Sequence, residues 1–148
     1  MGIRHPNMVR KLIVASAMFK NDGLYPGLRK SLKGATPDNM PAELREAYLK
    51  VAPHPEQLRA FVTKCATRML EFKDWAPEAI RSIDAPTLVL IGDADVVRPE
   101  HAVEMFRLLP HGQLAVLPGT DHMAIVKRAD LLLSMIPAFL DAPMPVAK

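Results

Sequence analysis

The chain has 148 residues, 49% hydrophobic and 24% charged, enough for one domain with its own core and too apolar for an intrinsically disordered chain. No apolar run approaches the roughly 18 residues of a membrane span, and the opening residues lack the apolar stretch of a secretory signal, so a cytoplasmic address is the default expectation. A single cysteine, Cys65, excludes an internal disulfide and a thiolate metal cluster. The net charge of +3 divides unevenly: residues 1–73 hold 13 Lys and Arg against 6 Asp and Glu, and residues 74–148 hold 6 against 10. The basic residues are dispersed and aromatics make up only 5%, a pattern of solvated helix faces rather than of a nucleic-acid surface.

In chain order, residues 1–10 read as the end of a helix closing at His5-Pro6. Leu12-Ile13-Val14-Ala15 follows as a first strand. Residues 21–84 differ in kind. They open with Gly23, Pro26, Gly27, Gly34 and Pro37, a loop-like composition. Two amphipathic helices are expected next, one grouping Leu44, Ala47, Tyr48 and Val51, the other Leu58, Phe61, Val62, Cys65 and Met69, with Pro41 and Pro55 at their starts. That spacing makes Cys65 a core residue. A further short helix is expected over residues 75–83.

Two more strands are expected at Thr87-Leu88-Val89-Leu90-Ile91 and Leu114-Ala115-Val116-Leu117. All three apolar runs are continuous rather than alternating, which suits a parallel sheet buried on both faces. Between the last two lies a helix from Pro99 with Ala102, Val103, Phe106 and Leu109 at helical spacing, ended by Pro110-His111-Gly112. This strand–helix–strand run is a right-handed crossover by the usual rule. A last helix, near residues 129–140, places Leu132, Leu133, Ile136 and Phe139 on one face, with Pro137 as an expected kink. Of the nine methionines, those in helices (Met8, Met40, Met69, Met105, Met135) read as adaptable core filling.

An open α/β sheet places its chemistry beyond the carboxyl ends of the strands. Gly92-Asp93-Ala94-Asp95 lies there after the second strand, and Pro118-Gly119-Thr120-Asp121-His122 after the third. Adjacent parallel strands bring these loops together, so a carboxylate can orient an imidazole as the supporting half of a nucleophile–base–acid triad. On these residues alone, an Asp in a Gly-Asp turn is equally a turn residue, and a lone His equally structural. A metal site built from Asp93, Asp95, Asp121 and His122 lacks supporting spacing, because neighbours such as Asp121 and His122 point in different directions.

The segment from Ala85-Pro-Thr-Leu-Val-Leu-Ile-Gly-Asp-Ala-Asp95 through Leu117-Pro-Gly-Thr-Asp-His122 resembles the carboxyl-terminal half of an α/β-hydrolase. Arg4-His5-Pro6 through Val14 resembles the entry to that fold's sixth strand. The resemblance implies a partial α/β-hydrolase fold of class α/β: three parallel strands with flanking helices and a helical cap insertion. Residues 1–20 would give a helix end and the first strand, 21–84 the cap or lid, and 85–148 the carboxyl-terminal core. It implies Asp95 as the catalytic acid and His122 as the base, with Asp93 in a turn role and Asp121 in a loop role. It also implies a small apolar ester-like substrate and no metal or other cofactor.

The chain departs from the family pattern in containing no Gly-x-Ser-x-Gly nucleophile elbow. Ser16, after the first strand, lacks the strand–turn–helix setting of such a nucleophile; Ser31, Ser82 and Ser134 have no supporting context. Two readings follow. One is a serine-hydrolase portion for carboxylic esters or similar acyl bonds, inactive alone. The other is a non-catalytic small-molecule-binding or protein-interaction domain derived from a hydrolase. Both predict self-association through the exposed edge strand, Leu12 to Ser16.

Overall fold

The computed structural model describes residues 1–143; residues 144–148 of the third sequence segment lie outside the described residues. Three strands, β1 (Leu12–Ala15), β2 (Thr87–Ala94) and β3 (Gly112–Asp121), form one parallel sheet in the order β1-β2-β3. Only β2 meets the expectation of burial on both faces, from Thr87 to Gly92. β1 is half-buried to exposed, and β3 carries Val116 at 45% exposure. Both are outer strands of the three, so each has one neighbour and less cover.

The chain divides into two compact units, residues 1–25 with 74–148, and residues 26–73. In the first, α5 (Pro99–Leu108) is the crossover between β2 and β3 and buries His101, Ala102 and Met105. Leu90, Leu117 and Ile125 form an apolar cluster, against which Leu131, Leu132 and Met135 of α6 (Ala129–Asp141) pack. Of the expected face of α6, Leu132 packs on this cluster, Phe139 is buried and Ile136 is half-buried, but Leu133 is 74% exposed. The helix runs on through Pro137. The short helix α4 (Pro77–Arg81) buries Ile80. At the amino end, the anticipated helix end is a single turn closed by the His5 N–H donating to the Met1 carbonyl, followed by a 3-10 turn at Pro6–Met8, and Met8 is exposed rather than core filling.

The second unit contains α1 (Pro26–Lys33), α2 (Ala42–Val51) and α3 (Leu58–Leu70). The sequence reading has no helix at α1, because Pro26 and Gly27 look like loop. Proline is well placed in a first helical turn, where its missing N–H costs nothing, and Leu28 and Leu32 then share one side of the helix. Helix α3 buries Leu58, Val62 and Ala66, while Phe61 and Cys65 are exposed, so Cys65 is not core. In α2 no residue is buried, and Val51 is 78% exposed.

Candidate active site

The carboxyl ends of β2 and β3 are drawn together by a backbone contact that only glycine allows. A Cβ on Gly92 would lie 1.9 Å from the Thr120 carbonyl oxygen. Beyond Gly92 the regular pairing breaks, and Ala94 sits opposite Asp121. Asp93 clamps this irregularity, its carboxylate accepting the Gly119 and Thr120 N–H groups at 3.0 and 3.1 Å. Those two backbone bonds, Gly119 first, hold the Asp93 pKa below its ordinary value. The expected turn role of Asp93 is therefore a strand-to-strand one.

Downstream, Asp121 accepts the N–H groups of Met123 and Ala124, shaping the loop around His122. Arg128 donates to the Pro118 carbonyl and to the fully buried Thr120 hydroxyl. Arg128 also pairs with Asp130, whose pKa it lowers by hydrogen bonding.

These restraints bring Asp95 and His122 together. Asp95 Oδ1 lies 2.9 Å from His122 Nδ1, with the Asp95 side chain fully buried and the His122 side chain 43% exposed. A carboxylate only accepts, so Nδ1 carries the donated proton and Nε2 is left to exchange protons with a reacting group. The Val97 N–H also donates to Asp95 Oδ1, at 3.0 Å. The remaining oxygen, Oδ2, accepts from the Ser16 hydroxyl at 2.5 Å. Ser16 lies just past β1 on the rim where Asp95 emerges, as its place in the sequence suggests, but no sequence feature marks Asp95 as its partner.

The Ser16 hydroxyl is therefore committed to Asp95. The hydroxyls of Ser31 and Ser134 each donate to a backbone carbonyl one turn earlier in their own helices, and that of Ser82, just past α4, donates to the Ala79 carbonyl. Among the described residues, no group of three or more His, Cys, Asp or Glu side chains is arranged to hold a metal ion. Asp93 and Asp121 are taken up by backbone N–H groups instead.

A hydrolase from Pseudomonas aeruginosa superimposes on 95% of this chain with a TM-score of 0.66 and 19% identity. An α/β hydrolase from a Medee basin deep-sea metagenome library covers 99% with a TM-score of 0.65 and 16% identity. This chain has part of an α/β-hydrolase fold. It spans 59% and 62% of those two structures. The enol-lactonase from Burkholderia xenovorans shares the fold at a TM-score of 0.62 and 14% identity, with 95% of this chain and 60% of that one covered. In sequence, the non-heme chloroperoxidase of Burkholderia pyrrocinia is 37% identical over 67 residues, 44% of this chain and 24% of that protein. No protein-family model matches the chain. No helix among the described residues is long and apolar enough to cross a membrane.

Proposed function

We propose that Asp95 and His122 are the acid and general base of an α/β-hydrolase-type serine hydrolase that cleaves a carboxylic ester or similar acyl bond. The carrying observation is the Nδ1–Oδ1 bond of 2.9 Å between a half-exposed imidazole and a fully buried carboxylate. The acid fixes the tautomer and stabilises the imidazolium formed when Nε2 takes the nucleophile's proton; Nε2 later returns that proton to the leaving alcohol. The nucleophile is a hydroxyl outside these 148 residues, since Ser16, Ser31, Ser82 and Ser134 are engaged elsewhere. Triad members act as a unit, so the chain alone turns over no ester.

The test is to isolate the protein from its own cells, weigh it, and assay p-nitrophenyl acetate. A species longer than this chain, active and reduced roughly 10⁶-fold by His122→Ala, supports the reading. Turnover by the 148-residue chain alone, abolished by His122→Ala, overturns its inactive-alone clause.

A second reading, a non-catalytic small-molecule-binding module, is favoured by one feature of the helical unit. A groove of about 900 Å³ there is walled by Leu28, Leu32, Met40, Leu44, Phe61 and Met69, within the size of small-molecule sites. One-site saturation by an apolar fluorescent probe, lost in Phe61→Asp, supports it if the native species is inactive. Under either reading the chain self-associates through β1. Leu12 and Ser16 donate their N–H groups to the carbonyls of Pro86, just before β2, and Leu90, so by alternation those of Ile13 and Ala15 point to the free edge.

A further inference from the structure

Ser16 stands out as the one non-glycine residue among those described with a positive φ, +48°. The left-handed region is disfavoured for a residue bearing a Cβ, and serine gains nothing there from chain entropy. Such an outlier persists only where its surroundings impose it, and it points to a use for the conformation. Two bonds do the imposing. The Ser16 N–H donates to the Leu90 carbonyl at 2.8 Å, adding a rung beyond β1, and its hydroxyl donates to Asp95 Oδ2 at 2.5 Å.

Asp95 explains the need. Its side chain is fully buried, so an unpaired carboxylate oxygen would be costly. Oδ1 is shared by the Val97 N–H and His122 Nδ1, whereas Oδ2 has the Ser16 hydroxyl as its partner. Without that donor the carboxylate turns about its Cβ–Cγ bond to find another, and Oδ1 moves off the imidazole. We infer that Ser16 is a positioning residue. It locks the rotation of the Asp95 carboxylate from the neighbouring strand, and through it the Nδ1–H tautomer of His122. This inference rests on the reading of Asp95 and His122 as an acid–base pair. It gives Ser16 a role other than nucleophile, since its proton is directed to the acid.

The experiment records long-range ¹H–¹⁵N correlations of the imidazoles in the ¹⁵N-labelled full chain at mildly alkaline pH, with His122 assigned by its absence in His122→Gln. The wild-type chain is expected to hold His122 with the proton on Nδ1. Ser16→Gly accepts the left-handed backbone and removes only the hydroxyl. The ratio of Nδ1–H to Nε2–H forms at His122 then falls roughly two- to tenfold, the worth of one ordinary hydrogen bond. Ser16→Thr keeps the hydroxyl while adding a branched Cβ at the same φ, so it lowers the melting temperature and leaves the His122 pattern in place.

An unchanged His122 pattern in Ser16→Gly, or its loss in folded Ser16→Thr, overturns the inference and leaves the acid–base pair standing. A wild-type His122 protonated on Nε2 overturns the pair itself and the role of Ser16 with it.

Discussion

In the sheet unit, β2 is buried from Thr87 to Gly92, and buried polar groups such as Asp95, Thr120 and His101 are packed among apolar ones. In the helical unit, neither α1 nor α2 contains a buried residue, and α3 contains three. The first region is specified by close contacts that tolerate no other atom, the second by faces that are merely apolar. Position therefore matters residue by residue around β2, while composition suffices over much of residues 26–73. The proposed acid–base pair sits where placement is strictest.

The sharpest way to break this contrast is Gly92→Ala. The new Cβ would overlap the Thr120 carbonyl, and the sheet unit is expected to lose more than about 3 kcal/mol, read as a collapse of the urea midpoint. A Gly92→Ala chain with wild-type stability would show that the β2–β3 junction yields as easily as the helical unit.

A matched pair of truncations measures the contrast directly. Leu90→Ala, at a position 2% exposed, should cost roughly 2–5 kcal/mol. Leu49→Ala, 45% exposed in α2, should stay within about 0.5 kcal/mol. Equal losses in chemical denaturation would erase the distinction between the two regions.

His101 supplies a pH-dependent version. Its Nε2 accepts the Phe19 N–H at 3.1 Å, its ring stacks on Phe19, and its Nδ1 is buried without a hydrogen-bond partner among the described residues. Of the charged groups around it, Glu104 and Asp22 favour protonation while Lys20 and Arg98 oppose it. Burial outweighs them and lowers its pKa from the ordinary 6.5. The unfolded chain then binds a proton that the folded chain refuses. Stability is complete above about pH 6.5 and falls as the pH drops below it. Asp93 and Asp130 also have lowered pKa values, and their contribution is lost only in the more acidic carboxylate range. A urea midpoint that declines between pH 7 and pH 5, with the decline flattened in His101→Gln, is the expected result; identical profiles for the two proteins would refute it.

The smallest effect concerns the edge. Ala15→Pro removes an outward N–H and leaves the bonds to β2 intact, which proline tolerates on an edge strand. Light scattering at micromolar concentration should show a dimer for the wild-type chain and a monomer for Ala15→Pro. A wild-type monomer would sink the self-association proposal.

Much of the sheet unit is legible in the sequence. The run from Thr87 to Leu117 carries its apolar blocks, its Pro99 start and its turn residues in the order of a strand–helix–strand crossover, which places the loops of Asp95 and His122 side by side; the choice of Asp95 over Asp93 comes from the resemblance to α/β-hydrolases. The helical unit is less legible, because periodicity tells which residues share a face but not what that face meets. Phe61 and Cys65 fit the stripe on α3 as well as Val62 and Ala66 do, yet only the latter are buried. Leu133 misleads for the same reason. The place of Ser16 on the rim is legible, but its pairing is not: nothing in the letters around it records a backbone angle, and its partner lies 79 residues away.

Lys11 joins the beginning of the sheet to the end of the last helix, its ammonium donating to the carbonyls of Phe139, Leu140 and Ala142. The link to Phe139 spans 128 residues of sequence, whereas β2, α5 and β3 are neighbours along the chain. Closing so long a loop is entropically expensive and kinetically slow compared with forming the adjacent crossover. The order of assembly follows. The β2–α5–β3 crossover, which carries Asp95 and His122, can form before β1 arrives, and β1 with α6 closes the structure afterwards. Ser16 travels with β1, so the proposed acid–base pair would be assembled in outline first and locked last.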